Sequence, residues 1–297
     1  MDIVVSGSSG FIGTALVAAL RGAGHRAIPL VRRAGVVDSL QWDPQVGQID
    51  AAGFEGVDAV VHLAGEGIGE KKWSPAQKQR ILESRTGGTA LIATTLAKLQ
   101  NGPQTLVSAS AIGIYGNRGD EVLTEASTPG GGFLADVVVQ WEAAAQPAVD
   151  AGVRVTFPRT GIVLSPNGGA LARLLLPFKL GIGGRIASGR QYMSWISLDD
   201  EVRALLALLQ NDAYRGPVNL TAPNPVTNNE FTKTLGSVLH RPTLLPTPLF
   251  PLKAKFGAEL VEQLLVYSQR VEPAVLAANG FSFAHSTLEA ALRFELQ

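Results

Sequence analysis

Gly7, Gly10 and Gly13 stand between a short apolar run, Ile3 to Val5, and an amphipathic stretch that keeps Ile12, Leu16 and Leu20 on one side. A strand that turns through such a loop into a helix can cradle a pyrophosphate. Gly7 lets the chain turn sharply, Gly10 removes a side chain where backbone meets phosphate, and Gly13 lets the helix pack close to the sheet. The helix, residues 11–21, then aims unpaired N–H groups and its positive dipole end at the anion. The next strand, residues 27–31, reports on the ribose. A carboxylate roughly 20 residues past the loop would accept from the free 2′-hydroxyl of NAD, and none is present. Arg32 and Arg33 end the strand instead, two forked cations suited to a phosphate monoester. This pattern predicts NADP(H); the plainer alternative is that two arginines solvate a strand end.

Hydride-transfer chemistry on such a scaffold commonly runs through a tyrosine whose phenol is lowered in pKa by a lysine four positions on, with a serine or threonine polarising the carbonyl. Tyr115, Tyr192, Tyr214 and Tyr267 are followed four places later by Gly119, Ile196, Val218 and Val271, so the pair is absent. Eight and four residues before Glu142, where it would fall, stand Leu134 and Val138. What remains is the segment from Ser108 through Ser110 to Tyr115 and Gly116, a strand end opening into a loop. Ser110 is expected to hold a carbonyl or hydroxyl and Tyr115 to donate a proton; alternatively, both only satisfy backbone groups of the loop. Arg190 and Gln191, beside Tyr192 and Trp195 in a glycine-bounded loop, are the candidates for substrate contact. Trp73, Trp141 and Trp195 also read as packing anchors.

These groups need a frame, and up to about Arg159 the chain alternates β-branched runs with helical patterns. Strands are predicted at 3–5, 27–31, 59–63, 104–108 and 154–157, with helices at 75–99 and 133–151. The fold class is therefore α/β, a Rossmann-like doubly wound parallel sheet whose ligands lie at the carboxyl ends of the strands. Beyond Arg159 the texture turns to Gly- and Pro-rich loops with shorter helices at 171–179, 199–210, 229–239 and 286–294. Ser286 and Glu289 read as a reciprocal cap of the last helix. The run Arg241 to Pro251 reads as extended. The expected division is a nucleotide-binding domain over 1–165 and a smaller substrate subdomain over 166–297, interdependent as one unit.

Composition narrows the partners. Among 297 residues, Lys+Arg and Asp+Glu number 25 each, which leaves no basic field for nucleic acid or an anionic membrane. Cysteine is absent and the four histidines are scattered, so no metal site is expected. No apolar stretch is long enough to span a bilayer, and the opening strand leaves no room for a leader. A soluble, cytoplasmic protein is expected, with a small-molecule substrate, no nucleic-acid or membrane partner, and an oligomeric state the sequence does not indicate.

In order along the chain stand residues 7–13, Gln41-Trp-Asp-Pro44, Asp58 through His62 to Glu66, Trp73 through Ile81 to Ser84-Arg85, and Ser110 to Gly116. Further on come Trp141-Glu-Ala-Ala144, Arg159-Thr-Gly-Ile-Val-Leu164, Gly189-Arg-Gln191, Ser194-Trp-Ile196 and Arg241-Pro242. Nearly end to end, the chain resembles the atypical extended short-chain dehydrogenase/reductase (SDR) family usually labelled "epimerase family protein". That resemblance implies a Rossmann-like fold with NADP(H). It places Arg32 at the 2′-phosphate, Leu63 and Ala64 along the coenzyme by backbone, Arg85 reaching it from the following helix, and Thr160 near the nicotinamide. Ser9, Phe11, Ile12, His62 and Ser108 are counted with the coenzyme contacts, although His62 also reads as a buried strand end satisfying its neighbours. Ser197 stands where relatives commonly carry histidine, and Ile114 where many have a second tyrosine. The expected function is an NADP(H)-dependent oxidoreductase or epimerase-like enzyme acting on a small polar carbonyl or sugar-type substrate. The alternative is a non-catalytic NADP(H)-binding sensor or interaction module.

Overall fold

Ile3, Val4 and Val5 of β1 (Asp2–Ser6) are shielded on both faces, as a strand covered by helices on either side requires. The computed structural model describes residues 1–33 and 35–297. After β1 come α1 (Phe11–Gly22), β2 (Arg26–Val31), β3 (Leu40–Asp43), β4 (Gln48–Ile49), β5 (Ala59–His62), α2 (Pro75–Leu96) and β6 (Thr105–Ser108). Next are β7 (Ser110–Ala111), β8 (Val122–Leu123), α3 (Phe133–Ala143), α4 (Gln146–Asp150), β9 (Arg154–Thr160), β10 (Ile162–Leu164) and α5 (Gly169–Lys179). The remainder holds β11 (Tyr192–Met193), β12 (Trp195–Ser197), α6 (Leu198–Gln210), β13 (Gly216–Leu220), β14 (Val226–Thr227), α7 (Asn228–Val238), α8 (Leu249–Phe256), α9 (Ala258–Val261), β15 (Arg270–Val271), α10 (Ala274–Ala278) and α11 (Leu288–Glu295).

The central nine-stranded sheet runs β13-β9-β6-β5-β1-β2-β3-β4, with β7 beside β9, and its pairs are parallel except β3 with β4. Alternation along the strands sends Ile3, Val5, Val61 and Val107 into one core with α1 and α6, through Leu16, Leu20, Leu205 and Leu208. Val4, Val60 and Leu106 point the other way, against Ile92 and Leu96 of α2 and Ala148 of α4. A third core gathers Leu171, Leu175 and Phe178 of α5 with Trp195, Phe231, Leu235 and Leu292.

The expected division at 165/166 meets a crossing chain. α6 and β13 return to the nucleotide-type sheet, with Gly216 to Leu220 in register with Thr156 to Thr160; Gly216 and Pro217 at the start of β13 obscured the short strand. The helix expected over 133–151 breaks before Gln146, because Pro147 belongs in a first turn and not inside a helix. Strand β9 runs on to Thr160 and so includes Arg159. The last helix is capped by Thr287, whose hydroxyl accepts from the Ala290 N–H, while Glu289 pairs with Arg293. The proline run gives way at Leu249 to α8, which takes Pro251 in its first turn.

Candidate cofactor and catalytic site

The glycine loop joins β1 to α1 with Gly7 at φ +68° and its carbonyl accepting from the Gly10 N–H at 2.9 Å. A Cβ on Gly13 would lie 2.1 Å from the Gly7 oxygen, and one on Gly7 would lie 2.9 Å from the Leu63 and Ala64 backbone. Both positions therefore exclude any side chain. Gly10 caps α1 without a side-chain hydrogen bond, and the first turn holds no acid. The leading N–H groups of this helix are thus left for an anion. Ser9 is exposed at the loop, while Ile12 turns toward the core. The Phe11 ring bridges to Gly168, where a Cβ would meet it at 2.5 Å, so the loop before α5 closes over the glycine turn. Arg32 and Arg33 are exposed past the end of β2, and neither forms an ion pair among the described residues.

Behind the loop, Ser6 Oγ lies 2.6 Å from His62 Nδ1 and accepts from the Ala64 N–H at 3.4 Å. The His62 ring is fully buried with its plane perpendicular to Trp42. Burial first, and the Arg85 charge second, hold its pKa down to about 4. This corrects the expectation of a coenzyme contact through the His62 side chain, which braces the strand ends as a neutral ring. Ser108 is likewise fully buried, and its hydroxyl has no hydrogen-bond partner. Arg85 reaches back from α2 under Gly65, donating to the carbonyls of Glu66 (3.0 Å) and Ile81 (3.1 Å) and stacking on Trp141. Desolvation lowers its pKa to about 10 against the opposing charge of Glu66.

Ser110 and Tyr115 belong to a polar network drawn from four separate elements. Ser110 Oγ donates to Glu142 Oε1 of α3 at 2.6 Å. Arg159 Nε and Nη2 donate to the two oxygens of that carboxylate, each at 2.8 Å. Arg159 Nη1 donates to the Tyr115 hydroxyl (3.1 Å), and that hydroxyl donates to Asn219 Oδ1 on β13 (2.7 Å). For Arg159, burial would lower the pKa, but the bonds and charge of Glu142 outweigh it and hold the guanidinium above its ordinary value. Tyr115 is fully buried, and burial outweighs the Arg159 and Asn219 bonds to push its phenol above the usual range. The expectation of Tyr115 as proton donor is thereby corrected: it is a saturated strut and a weakened acid. Ser110 is corrected in polarity. Its proton is committed to Glu142, so the oxygen offers lone pairs and accepts a bond rather than donating one to a carbonyl.

Thr160 falls on the opposite face of β9 from Arg159, and its hydroxyl donates to Glu201 Oε1 of α6 at 2.8 Å. Burial drives the Glu201 carboxyl up to about 8 against that bond, and Oε2 has no partner. In the expected substrate loop, Arg190 is exposed and Tyr192 half-buried. Trp195 is fully buried in the third core with its indole N–H on the Asn224 carbonyl, which corrects its expected substrate contact to packing. Gln191 is also buried, and its amide N–H groups serve the Ile186 and Leu265 carbonyls. It braces the loop instead of offering them to a ligand.

Glu142, Arg159, Asn219 and Glu201 were not among the expected site residues. A signal existed for Arg159 and Glu142: a charged residue within a buried strand or on a helix packed against the sheet must have a partner.

The profile of the NAD dependent epimerase/dehydratase family matches residues 3–220. The chain belongs to that family. A domain of unknown function, DUF1731, matches residues 247–295. Among relatives, the epimerase family protein Mb2239 of Mycobacterium bovis is 46% identical over 293 residues, covering 98% of this chain and 96% of that one. The human epimerase family protein SDR39U1 (isoform 2), solved with NADPH, superposes with a TM-score of 0.92 at 34% identity over 99% of this chain and 98% of its own. A nucleoside-diphosphate sugar epimerase from Corynebacterium glutamicum follows at TM-score 0.84 and 36% identity; it covers all of this chain, which spans 58% of that longer one. Family membership agrees with the Rossmann-like frame and the atypical extended SDR resemblance. Among the described residues, no helix is long and apolar enough to cross a membrane.

Proposed function

We propose that this chain is an NADP(H)-dependent oxidoreductase or epimerase-like enzyme acting on a small polar carbonyl or sugar-type substrate. The observation that carries the reading is the uncapped, acid-free start of α1 set beside an arginine-ended β2. The human family member solved with NADPH supports it. On this reading the α1 N–H groups hold the pyrophosphate, Arg32 and Arg33 hold the 2′-phosphate, and the Leu63–Ala64 backbone passes along the coenzyme from the end of β5. A nicotinamide coenzyme bound there supplies hydride chemistry. Ser110 Oγ, whose proton is already given to Glu142, accepts from a substrate hydroxyl at the carboxyl edge of the sheet and orients it. The Arg159 ion pair keeps Glu142 as the acceptor that maintains this polarity.

The sensor reading has two specific observations in its favour. Leu134 and Val138 occupy the positions of the usual tyrosine and lysine, and Tyr115 is sealed inside the network. Fluorescence titration of NADPH and NADH separates the claims. NADPH is expected to bind more tightly, and Arg32→Ala to weaken NADPH about tenfold while leaving NADH unchanged. Comparable binding of both coenzymes, with NADPH affinity unaltered in the variant, overturns the coenzyme assignment. Turnover is then followed with NADPH over carbonyl compounds and sugar nucleotides; tight binding with no turnover transfers the conclusion to the sensor.

A further inference from the structure

Two segments far apart in sequence carry most of the openly exposed apolar side chains. Leu176 and Leu180 of α5 with Ile182 just after it, and Leu244, Leu245 and Phe250 before and within α8, are each between 62% and 90% exposed. Elsewhere among the described residues only the smaller Val37 and Val46 are as open. α8 itself, though built largely of apolar residues, has none that is buried, whereas a surface helix ordinarily turns its apolar stripe to the core.

The two segments are fastened side by side. Arg241 Nε donates to the Lys179 carbonyl at 2.8 Å, the Thr247 N–H to the Arg185 carbonyl at 2.8 Å, and the Thr247 hydroxyl to the Gly184 carbonyl at 2.9 Å. A Cβ on Gly184 would overlap the Leu245 carbonyl, and one on Gly181 would touch the Pro242 ring. Leu176 and Leu180 stand one turn apart on α5, and Phe250 lies in the first turn of α8, just after Thr247. The six side chains thus rise from adjoining backbone and are not the scattered single exposures common on any surface.

Charge on these segments has one sign. Residues 151–198 and 231–258 contain neither Asp nor Glu, a local imbalance that the equal totals of 25 conceal. Among the described residues, Lys179, Arg185, Arg241 and Lys255 form no ion pair. Arg185 donates to the Ala187 and Ser188 carbonyls, Arg241 to those of Lys179 and His240, and Lys255 lies 5.1 Å over the Phe256 ring. The acid that reaches α8 from beyond, Glu262, is 3.9 Å from Lys253.

Protruding aliphatic and aromatic side chains flanked by unpaired cations match a bilayer interface, where apolar tips enter the acyl boundary while Lys and Arg reach anionic headgroups. A second copy of the chain fits poorly, because a two-fold contact sets the same cations against one another with no carboxylate on either segment to answer them. A protein partner needs a surface shaped to side chains as exposed as Leu244, whereas fluid lipid adapts to them. We infer that this face docks the protein on an anionic phospholipid surface, with Leu244 and Phe250 entering it. The inference goes beyond the proposed function and does not depend on coenzyme binding. It reverses the expectation of no membrane partner, which rested on the overall charge balance.

The test mixes the full chain with vesicles of equal parts phosphatidylglycerol and phosphatidylcholine, or of phosphatidylcholine alone, and separates them by flotation. The parent is expected to bind the anionic vesicles about tenfold more tightly than the neutral ones and to be released as salt rises. Leu244→Ser combined with Phe250→Ser, and separately Lys179→Glu combined with Lys255→Glu, are each expected to weaken that binding about tenfold, while Val46→Ser leaves it unchanged. All three variants replace exposed groups and are expected to melt with the parent. A parent that does not float with anionic vesicles overturns the inference and leaves the face to an acidic protein. It is equally overturned if the Leu244→Ser, Phe250→Ser chain floats as well as the parent, or if sedimentation velocity shows a parent dimer that this variant loses, which assigns the face to a second copy. If that variant melts early, the Lys179→Glu, Lys255→Glu chain decides by the same flotation.

Discussion

Replacing Glu201 with Gln should change how stability depends on pH, and in a defined direction. Glu201 is fully buried, bonded only to Thr160, and its carboxyl is raised from an ordinary 4.5 to about 8. Between those values the folded chain keeps a proton that the unfolded chain has released. The stabilisation is therefore complete below about pH 4.5 and is lost as pH rises through about 8. At about 1.4 kcal/mol per pH unit, the parent forfeits roughly 1 kcal/mol by about pH 5 and roughly 4 kcal/mol by about pH 7.5. Gln mimics the neutral acid at every pH and still accepts from Thr160. Its amide N–H groups inherit the place of an oxygen that has no partner, which costs about 1–3 kcal/mol throughout. Urea unfolding of both proteins across this range should show the parent losing about 3 kcal/mol more than Glu201→Gln between about pH 5 and about pH 7.5. Stability profiles that stay parallel would refute the burial argument and leave Glu201 an ordinary ionised carboxylate.

Glu142→Gln leaves Arg159 buried opposite a neutral amide and should cost about 3–5 kcal/mol in urea unfolding; a loss below about 1 kcal/mol would show that the network does not depend on the ion pair. Gly13→Ala forces a methyl against the Gly7 carbonyl, so the loop must open. Destabilisation of about 1–3 kcal/mol with at least a tenfold loss of NADPH affinity is expected, whereas unchanged affinity in fluorescence titration would separate the glycine turn from coenzyme binding.

Local order was plain in the chain from the start. Ile3 to Val5, the three glycines and the periodic Leu16 and Leu20 place strand, turn and helix through short-range sterics and patterning, and the same local rules made Arg32 and Arg33 stand out where a carboxylate was missing. The partnership of Tyr115 with Glu142, Arg159 and Asn219 escaped such reading because it closes over as many as 104 residues, a distance at which no periodicity survives. Ser110 shows the consequence. Its place at a strand end follows from neighbouring residues, but the direction of its proton depends on a carboxylate delivered by another helix. Backbone conformation is settled by adjacent residues, whereas polarity, burial and pairing of charge belong to groups brought together by packing, and here that packing makes Tyr115 a strut and Ser110 an acceptor.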